Sequence, residues 1–313
     1  MPSSRFVAYV DLARNGKNAS WRVVLGIVLI LLVSVVASVI CFGGGLVVMA
    51  LRDGYPLTDL DAQDVRLLLQ DRIGLAATLL TNASLWGGVW LAMMILHRRS
   101  IRDLFGAERK LYWRDFAKAA TVTFVVGLVT TPIGLAIDPT IARTDLSVLE
   151  WIAWAPLVLV LCFLQTSAEE VVFRGYLHQT LAARFAAPLI WLALPTVLFT
   201  LIHWDGNALA AMNVAFLLII LVISLSMTAL LIASGNLGAA MGTHFGNNIG
   251  VFLFVSHAPN LGSAALFSGR SIADQGWTTW QAALLALYGI LVVVISLWLL
   301  LHRSSPFRLR SLR

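Results

Sequence analysis

The chain has little charge to spare. Asp, Glu, Lys and Arg together make up 12% of its 313 residues, about half the roughly 25% of a soluble globular domain. That shortage excludes an ordinary water-soluble fold. Cysteine is almost missing too. Cys41 and Cys162 both lie inside apolar runs, where two lone thiols act as small apolar fillers and not as a disulfide framework. The C-terminal "RLRSLR" offers no lipidation box. Low-complexity segments and sequence repeats are absent, and the sequons at Asn18 and Asn82 read as chance matches. The first apolar run has no signal-like segment with a small-residue cleavage site before it, so it reads as a retained span.

What the chain has in quantity is hydrophobic residues, 59% of the total, with a mean hydropathy of +0.85. Apolar runs near 20 residues recur along its length, each long enough to cross a bilayer as a helix. The pattern predicts helices over 21–50, 73–97, 117–137, 150–182, 187–204, 208–233, 236–257 and 277–301. The expected fold is therefore all-α: one integral membrane domain over 1–313, a polytopic transmembrane bundle of about eight helices.

Orientation follows from the loop charges, because cytoplasmic loops are enriched in Lys and Arg. Seventeen basic residues fall on one side: the N-terminal tail to Arg22, the 98–118 loop, the turn with Arg174 and Arg184, and the tail after Leu301. Five fall on the other: Arg52, Arg66, Arg72, Arg143 and Arg270. Both termini are expected in the cytoplasm, with the chain multi-pass in a bacterial plasma membrane. The net charge of +6 is explained by basic residues flanking spans and implies no nucleic-acid partner. The lipid bilayer is the expected partner, and the 98–118 loop is suited to anionic head groups.

Acid inside the apolar runs is the scarcest feature. Of sixteen Asp and Glu, only Glu169 and Glu170 fall well inside a predicted helix, in "TSAEEVVFRGYLHQT" (166–180). A charge at the bilayer centre costs about 2.5–3.5 kcal/mol on insertion scales, so such residues are paired, face a cavity or are functional. Arg174 follows Glu170 by four residues, the favourable order for a helical ion pair. Glu169 lies about 100° round the helix, where the same arginine is less well placed. One carboxylate reads as satisfied and the other as available. A purely structural ion cluster is the competing interpretation.

Two further stretches are polar at similar depth. His203 ends the apolar run "FTLIHWDG". The helices on either side of a tight turn near residue 185 put Glu169 and His203 each roughly 25 Å from that turn at ~1.5 Å per residue. The same arithmetic predicts a hairpin projecting into the cytoplasm, with Arg174, His178, Gln179 and Arg184 hydrated and the cavity opening that way. In "GNLGAAMGTHFGNNIG" (235–250), Gly238, Gly242, Gly246 and Gly250 are spaced by four and form a ridge that admits a neighbouring backbone. His244 and Asn248 share the opposite face.

These residues carry a resemblance. "EEVVFR" matches EExxxR, "FTLIH" matches FxxxH and "HFGNN" matches HxxxN. In that order, on successive apolar helices, they resemble the type II CAAX prenyl protease family, also called CPBP intramembrane proteases. Some bacterial members of that family are linked to bacteriocin processing or immunity. The resemblance spans roughly residues 150–255, the expected catalytic core. It implies that Glu169 and His203 activate water, that His244 and Asn248 stabilise the oxyanion, and that Glu170 and Arg174 support them. The implied substrate is a membrane-associated protein or peptide of CAAX type, with the need for prenylation open.

The chemistry suits the residues independently of the family. Hydrolysis inside a membrane needs a base for water and donors for the developing oxyanion. No Ser–His–Asp set occurs at comparable spacing, and neither cysteine has a His near it in sequence, so covalent catalysis is the weaker expectation. No cofactor is required by this scheme. Zinc stays open, since Glu169, His203 and His244 could form a three-ligand site and make the protein a metalloprotease, although no HExxH is present. Two other functions stay open: a non-catalytic membrane partner or bacteriocin-immunity protein on the same fold, and a proton-coupled transporter, which would need polar residues along a through-path.

Overall fold

A computed structural model describes residues 3–258 and 261–312. The bundle is built from ten helices in chain order: α1 (Ser4–Arg14), α2 (Ser20–Asp53), α3 (Ala62–Gln70), α4 (Arg72–His97), α5 (Trp113–Ile137), α6 (Val148–Arg184), α7 (Leu189–Leu201), α8 (Ala210–Ser234), α9 (Gly238–Ile249) and α10 (Thr279–Leu301). Six of them, α2, α4, α5, α6, α8 and α10, are long and apolar enough to cross a membrane. All eight predicted helices form, but α7 and α9 are shorter than the runs that predict them. α9 passes into a π-helical turn, Gly250–Phe254, before the chain extends. α1 and α3 were not expected.

Local sequence sets the ends. Ser147 and Glu150 form a reciprocal capping box at the start of α6, and Thr278 and Gln281 do the same for α10, each satisfying backbone N–H groups that a helix N-terminus leaves bare. α8 ends at Gly235, with φ of +64°. A side chain there is disfavoured twice, because its Cβ would also lie 2.5 Å from the Arg5 backbone.

The two ends of the bundle differ. At one end the chain termini meet: Arg5 hydrogen-bonds the Ser311 carbonyl and Asp115 accepts from the Arg310 backbone N–H. At the other, β1 (Ala142–Arg143) pairs antiparallel with β3 (Phe267–Ser268), and β3 pairs parallel with β2 (Val255–Ser256). This small sheet ties the loop before α6 to the loop after α9.

α9 packs closely on α5. A Cβ at Gly238, Gly242 or Gly246 would lie 2.7, 2.2 or 2.3 Å from the carbonyl oxygens of Tyr112, Phe116 and Ala120 respectively. The glycine ridge therefore faces a helix backbone, as its spacing suggests. Gly250 is the exception, with open space around it, since the helix widens there.

One expectation fails. The hairpin between α6 and α7 is not a hydrated projection. Arg174, His178 and Gln179 are completely buried, and only Arg184 of the four is exposed. The cover is α1, whose buried face is Phe6, Tyr9, Val10 and Ala13, together with the turn Ile101–Leu104. Tyr9 Oη lies 3.2–3.3 Å from the carbonyls of Leu104, Arg174 and Gly175. Gln179 Nε2 donates to the Tyr9 and Asp103 carbonyls, and Arg99 donates to its Oε1. Protein groups cover this end of α6, so Arg174 is no loop charge.

Candidate active site

α6 supplies three consecutive turns of polar groups: Gln165, Glu169 and the Glu170–Arg174 pair. Directly after Glu170 the helix widens into a π-helical segment, Val171–Leu177, a feature frequent at functional sites. Arg174 Nη1 donates to Glu170 Oε1 at 2.9 Å, and its Nη2 donates to Ser224 Oγ on α8 at 2.6 Å. Its guanidinium carbon sits 4.3 Å from the ring centre of Phe199 on α7. The ion pair is thus held from three helices, which suits charges removed from water.

Glu170 has a second partner that helical spacing does not reveal. Its Oε1 also accepts from His244 Nδ1 at 2.9 Å. The carboxylate can only accept, so Nδ1 carries the hydrogen. The other ring nitrogen, Nε2, then points to Glu169, 3.7 Å from its Oε2. His244 lies between the two glutamates, one nitrogen toward each.

Glu169 is held by its other oxygen. Gln165 Nε2 donates to Oε1, and Gln165 Oε1 accepts from Asn248 Nδ2 at 3.2 Å. Asn247 Nδ2 donates to Asn248 Oδ1 at 3.1 Å. This chain of amides leaves Asn248 with a second N–H free of it. His203, just past α7, bonds the Phe199 carbonyl through Nδ1 at 2.7 Å. A carbonyl only accepts, so Nδ1 is the protonated nitrogen and Nε2 is free to accept. The Phe199 ring stands between the histidines, with centroids 4.9 Å from His203 and 5.9 Å from His244.

Glu169, His203, His244 and Asn248 line one cavity of about 540 Å³ with Gln165 and Asn247. Its remaining wall is largely apolar, including Phe216, Ile219, Ile223 and Phe252. Glu170 and Arg174 lie behind that wall, fully buried. The residues sequence reasoning passed over are Gln165, Asn247 and Ser224; Phe199 entered only as the first residue of FxxxH, with no role attached. Gln165 had a signal, since it lies one helical turn before Glu169. Ser224 had none, because nothing in α8 sets it apart from Ser226 and Thr228 close by.

The residues left open as zinc ligands, Glu169, His203 and His244, line one cavity. Among the described residues no group of three His, Cys, Asp or Glu side chains is gathered to hold a metal ion. Both histidines make their hydrogen bond through Nδ1, His244 to Glu170 and His203 to a backbone carbonyl, an arrangement that metal-bound histidines also adopt.

Comparison with known proteins points the same way as the geometry. Residues 151–250 match the family described as "Type II CAAX prenyl endopeptidase Rce1-like". The segment covers α6 from its first turn, α7, α8 and α9, and so every residue of the cavity's polar patch. Endopeptidase activity is what the description of that family names. A relative from Bacillus subtilis (strain 168), "Uncharacterized protein YyaK", is 26% identical over 223 residues, covering 70% of this chain and 72% of its own length. No solved structure matches the chain.

Proposed function

We propose that this chain is an intramembrane endopeptidase that hydrolyses peptide bonds of membrane-associated protein or peptide substrates with water activated by Glu169. The observation that carries the reading is the pairing of Glu169 Oε2 with His244 Nε2 on one cavity wall, 3.7 Å apart. Oε2 is free of the bond that holds Oε1, so it is the natural acceptor for a proton from water. General-base assistance of this kind is worth about 10²–10⁴ in rate.

The roles divide as follows. Glu169 takes the proton, and the free Nε2 of His203 assists from the end of α7. Asn248 offers its remaining N–H to the carbonyl oxygen as negative charge develops there. His244 faces the same space through Nε2, with Glu170 fixing the ring through Nδ1. Arg174 pairs with Glu170 and holds it in place. Preorganised donors of this type contribute about 10²–10³ each. The apolar wall receives the substrate's hydrophobic side chains or an attached lipid.

Residues 1–313 work as one integral membrane domain with 150–255 as the catalytic core. The buried Glu170–Arg174–Ser224 cluster lies behind the cavity wall, which favours a closed hydrolytic pocket over a transporter's through-path. The test is cleavage of quenched-fluorescent peptides, with and without a prenyl group, by the purified protein in detergent. Glu169→Gln keeps the side chain's size and should abolish cleavage while leaving the melting temperature nearly unchanged. Full activity of that variant would remove Glu169 as the base.

A further inference from the structure

The cavity that holds Glu169 is closed at one end and borders a second recess at the other. The closed end is the one where the chain termini meet. There the whole run from Val171 to Ala182 is buried, capped by α1 and the turn Ile101–Leu104, with Arg174, His178 and Gln179 sealed beneath them. The cavity wall is drawn from the opposite halves of the helices: Thr78 and Asn82 near the start of α4, Met212 near the start of α8, and Leu285 in α10. Beyond these it is lined by His257 and Ala258, which follow β2.

The same two residues also line a second recess of about 520 Å³, bounded by Arg72, Asp145, Glu150 and Ser268. The recess is more polar than the inner cavity. His257 is fixed at the junction, its Nδ1 bonded to the Arg270 carbonyl at 3.0 Å and 3.5 Å from the buried Asp138. The two spaces are therefore neighbours that share a wall at the sheet end of the bundle.

Charge orients that end. The termini, the 98–118 loop and Arg184 carry the large basic excess, whereas the sheet end holds Arg52, Arg66, Arg72, Arg143 and Arg270 among many acids. Lys and Arg mark the cytoplasmic side. We infer that substrate reaches Glu169 from the non-cytoplasmic face, through the recess at His257 and Ala258, and that the cytoplasmic end of the catalytic cavity is closed. The word substrate rests on the protease reading; the sidedness of access does not. The occupant is a peptide whose apolar part lies in the inner cavity and whose polar flank lies in the recess. A protein confined to the cytoplasm would not reach this site.

The test is thiol accessibility in oriented membranes. In a Cys41→Ser, Cys162→Ala background, single cysteines are placed as Thr78→Cys and Asn82→Cys in the cavity wall. Ser268→Cys marks the recess and Ser304→Cys marks the terminal end. Right-side-out and inverted vesicles are treated with a small, charged, membrane-impermeant methanethiosulfonate. Thr78→Cys, Asn82→Cys and Ser268→Cys should react in right-side-out vesicles and be protected in inverted ones, with Ser304→Cys showing the reverse. Reaction of both cavity cysteines only in inverted vesicles, or of neither from the outside, overturns the inference. So does labelling of Ser268→Cys from the cytoplasmic side. The peptide assay is run on the same vesicles. Outside-facing labelling without cleavage would leave the access route standing and remove the protease reading.

Discussion

Glu170→Gln is the most informative substitution, because the structure gives Glu170 two duties that can be separated. Its Oε1 accepts from both Arg174 and His244, while its Oε2 is buried without a hydrogen bond. A glutamine can still present one oxygen, but it removes the countercharge of an arginine that is fully buried. Breaking a buried pair from one side costs about 3–5 kcal/mol. At about 2–4 °C per kcal/mol for chains of 150–250 residues, the melting temperature should fall by roughly 6–20 °C. The double variant Glu170→Gln, Arg174→Gln removes both charges together and should recover most of that loss, since deleting a whole buried pair is often close to neutral. Activity should not recover, because His244 still lacks the carboxylate that fixes its Nδ1. The assay is melting temperature beside specific activity per folded protein, in one detergent, for wild type, both single variants and the double. A double variant as unstable as the worse single variant would show that the two charges do not depend on each other. A double variant with full activity would show that Glu170 does nothing for His244.

Other outcomes follow from the packing. Gly242→Ala should destabilise the bundle by about 1–3 kcal/mol, the usual range for overpacking, because its Cβ would lie 2.2 Å from a backbone oxygen that cannot swing away. Gly250→Ala, which meets nothing within 4 Å, should melt like wild type; equal effects at the two sites would refute the account of the ridge. Tyr9→Phe should cost about 0.5–1.5 kcal/mol and loosen the cap over α6, seen as faster proteolysis of the N-terminal tail with turnover per folded molecule unchanged. Burial pushes the Asp138 carboxyl up, but hydrogen bonds from the Thr140 side chain, the Arg270 and Thr140 N–H groups and nearby His257 hold it lower overall. Its contribution is therefore present above the unfolded value of about 3.9 and lost as pH falls through the lower folded value. Asp138→Asn should flatten that acid limb of a melting-temperature profile, and an unchanged limb would contradict it.

The long helices were legible because the bilayer demands a composition that little else imitates. α2, α4, α5, α6, α8 and α10 stand close to the predicted runs for that reason. α1 was not legible: eleven residues carrying Arg5, Asp11 and Arg14 look like a hydrated tail. Its apolar stripe matters only once the end of α6 is there to receive it. Missing α1 is also what made the hairpin look hydrated. Depth along a helix can be counted in residues, but whether water or protein covers that depth depends on segments far away in the chain.

The site shows the same boundary between what lies within one helix and what lies between helices. Glu170 with Arg174, Gln165 with Glu169, and His244 with Asn248 are each four residues apart, so helical geometry alone places each pair on a common face. The contact between His244 and Glu170 depends instead on the rotation of α9 against α6, 74 residues away in sequence. That rotation is set by the other side of α9, where Gly238, Gly242 and Gly246 press on the backbone of α5. With that face fixed, the opposite face can only turn toward α6, and His244 comes to rest between the two glutamates. The glycines thus determine where the imidazole points without touching it. A variant that pushes α9 off α5 should therefore disturb activity through His244, even where every residue of the polar patch is retained.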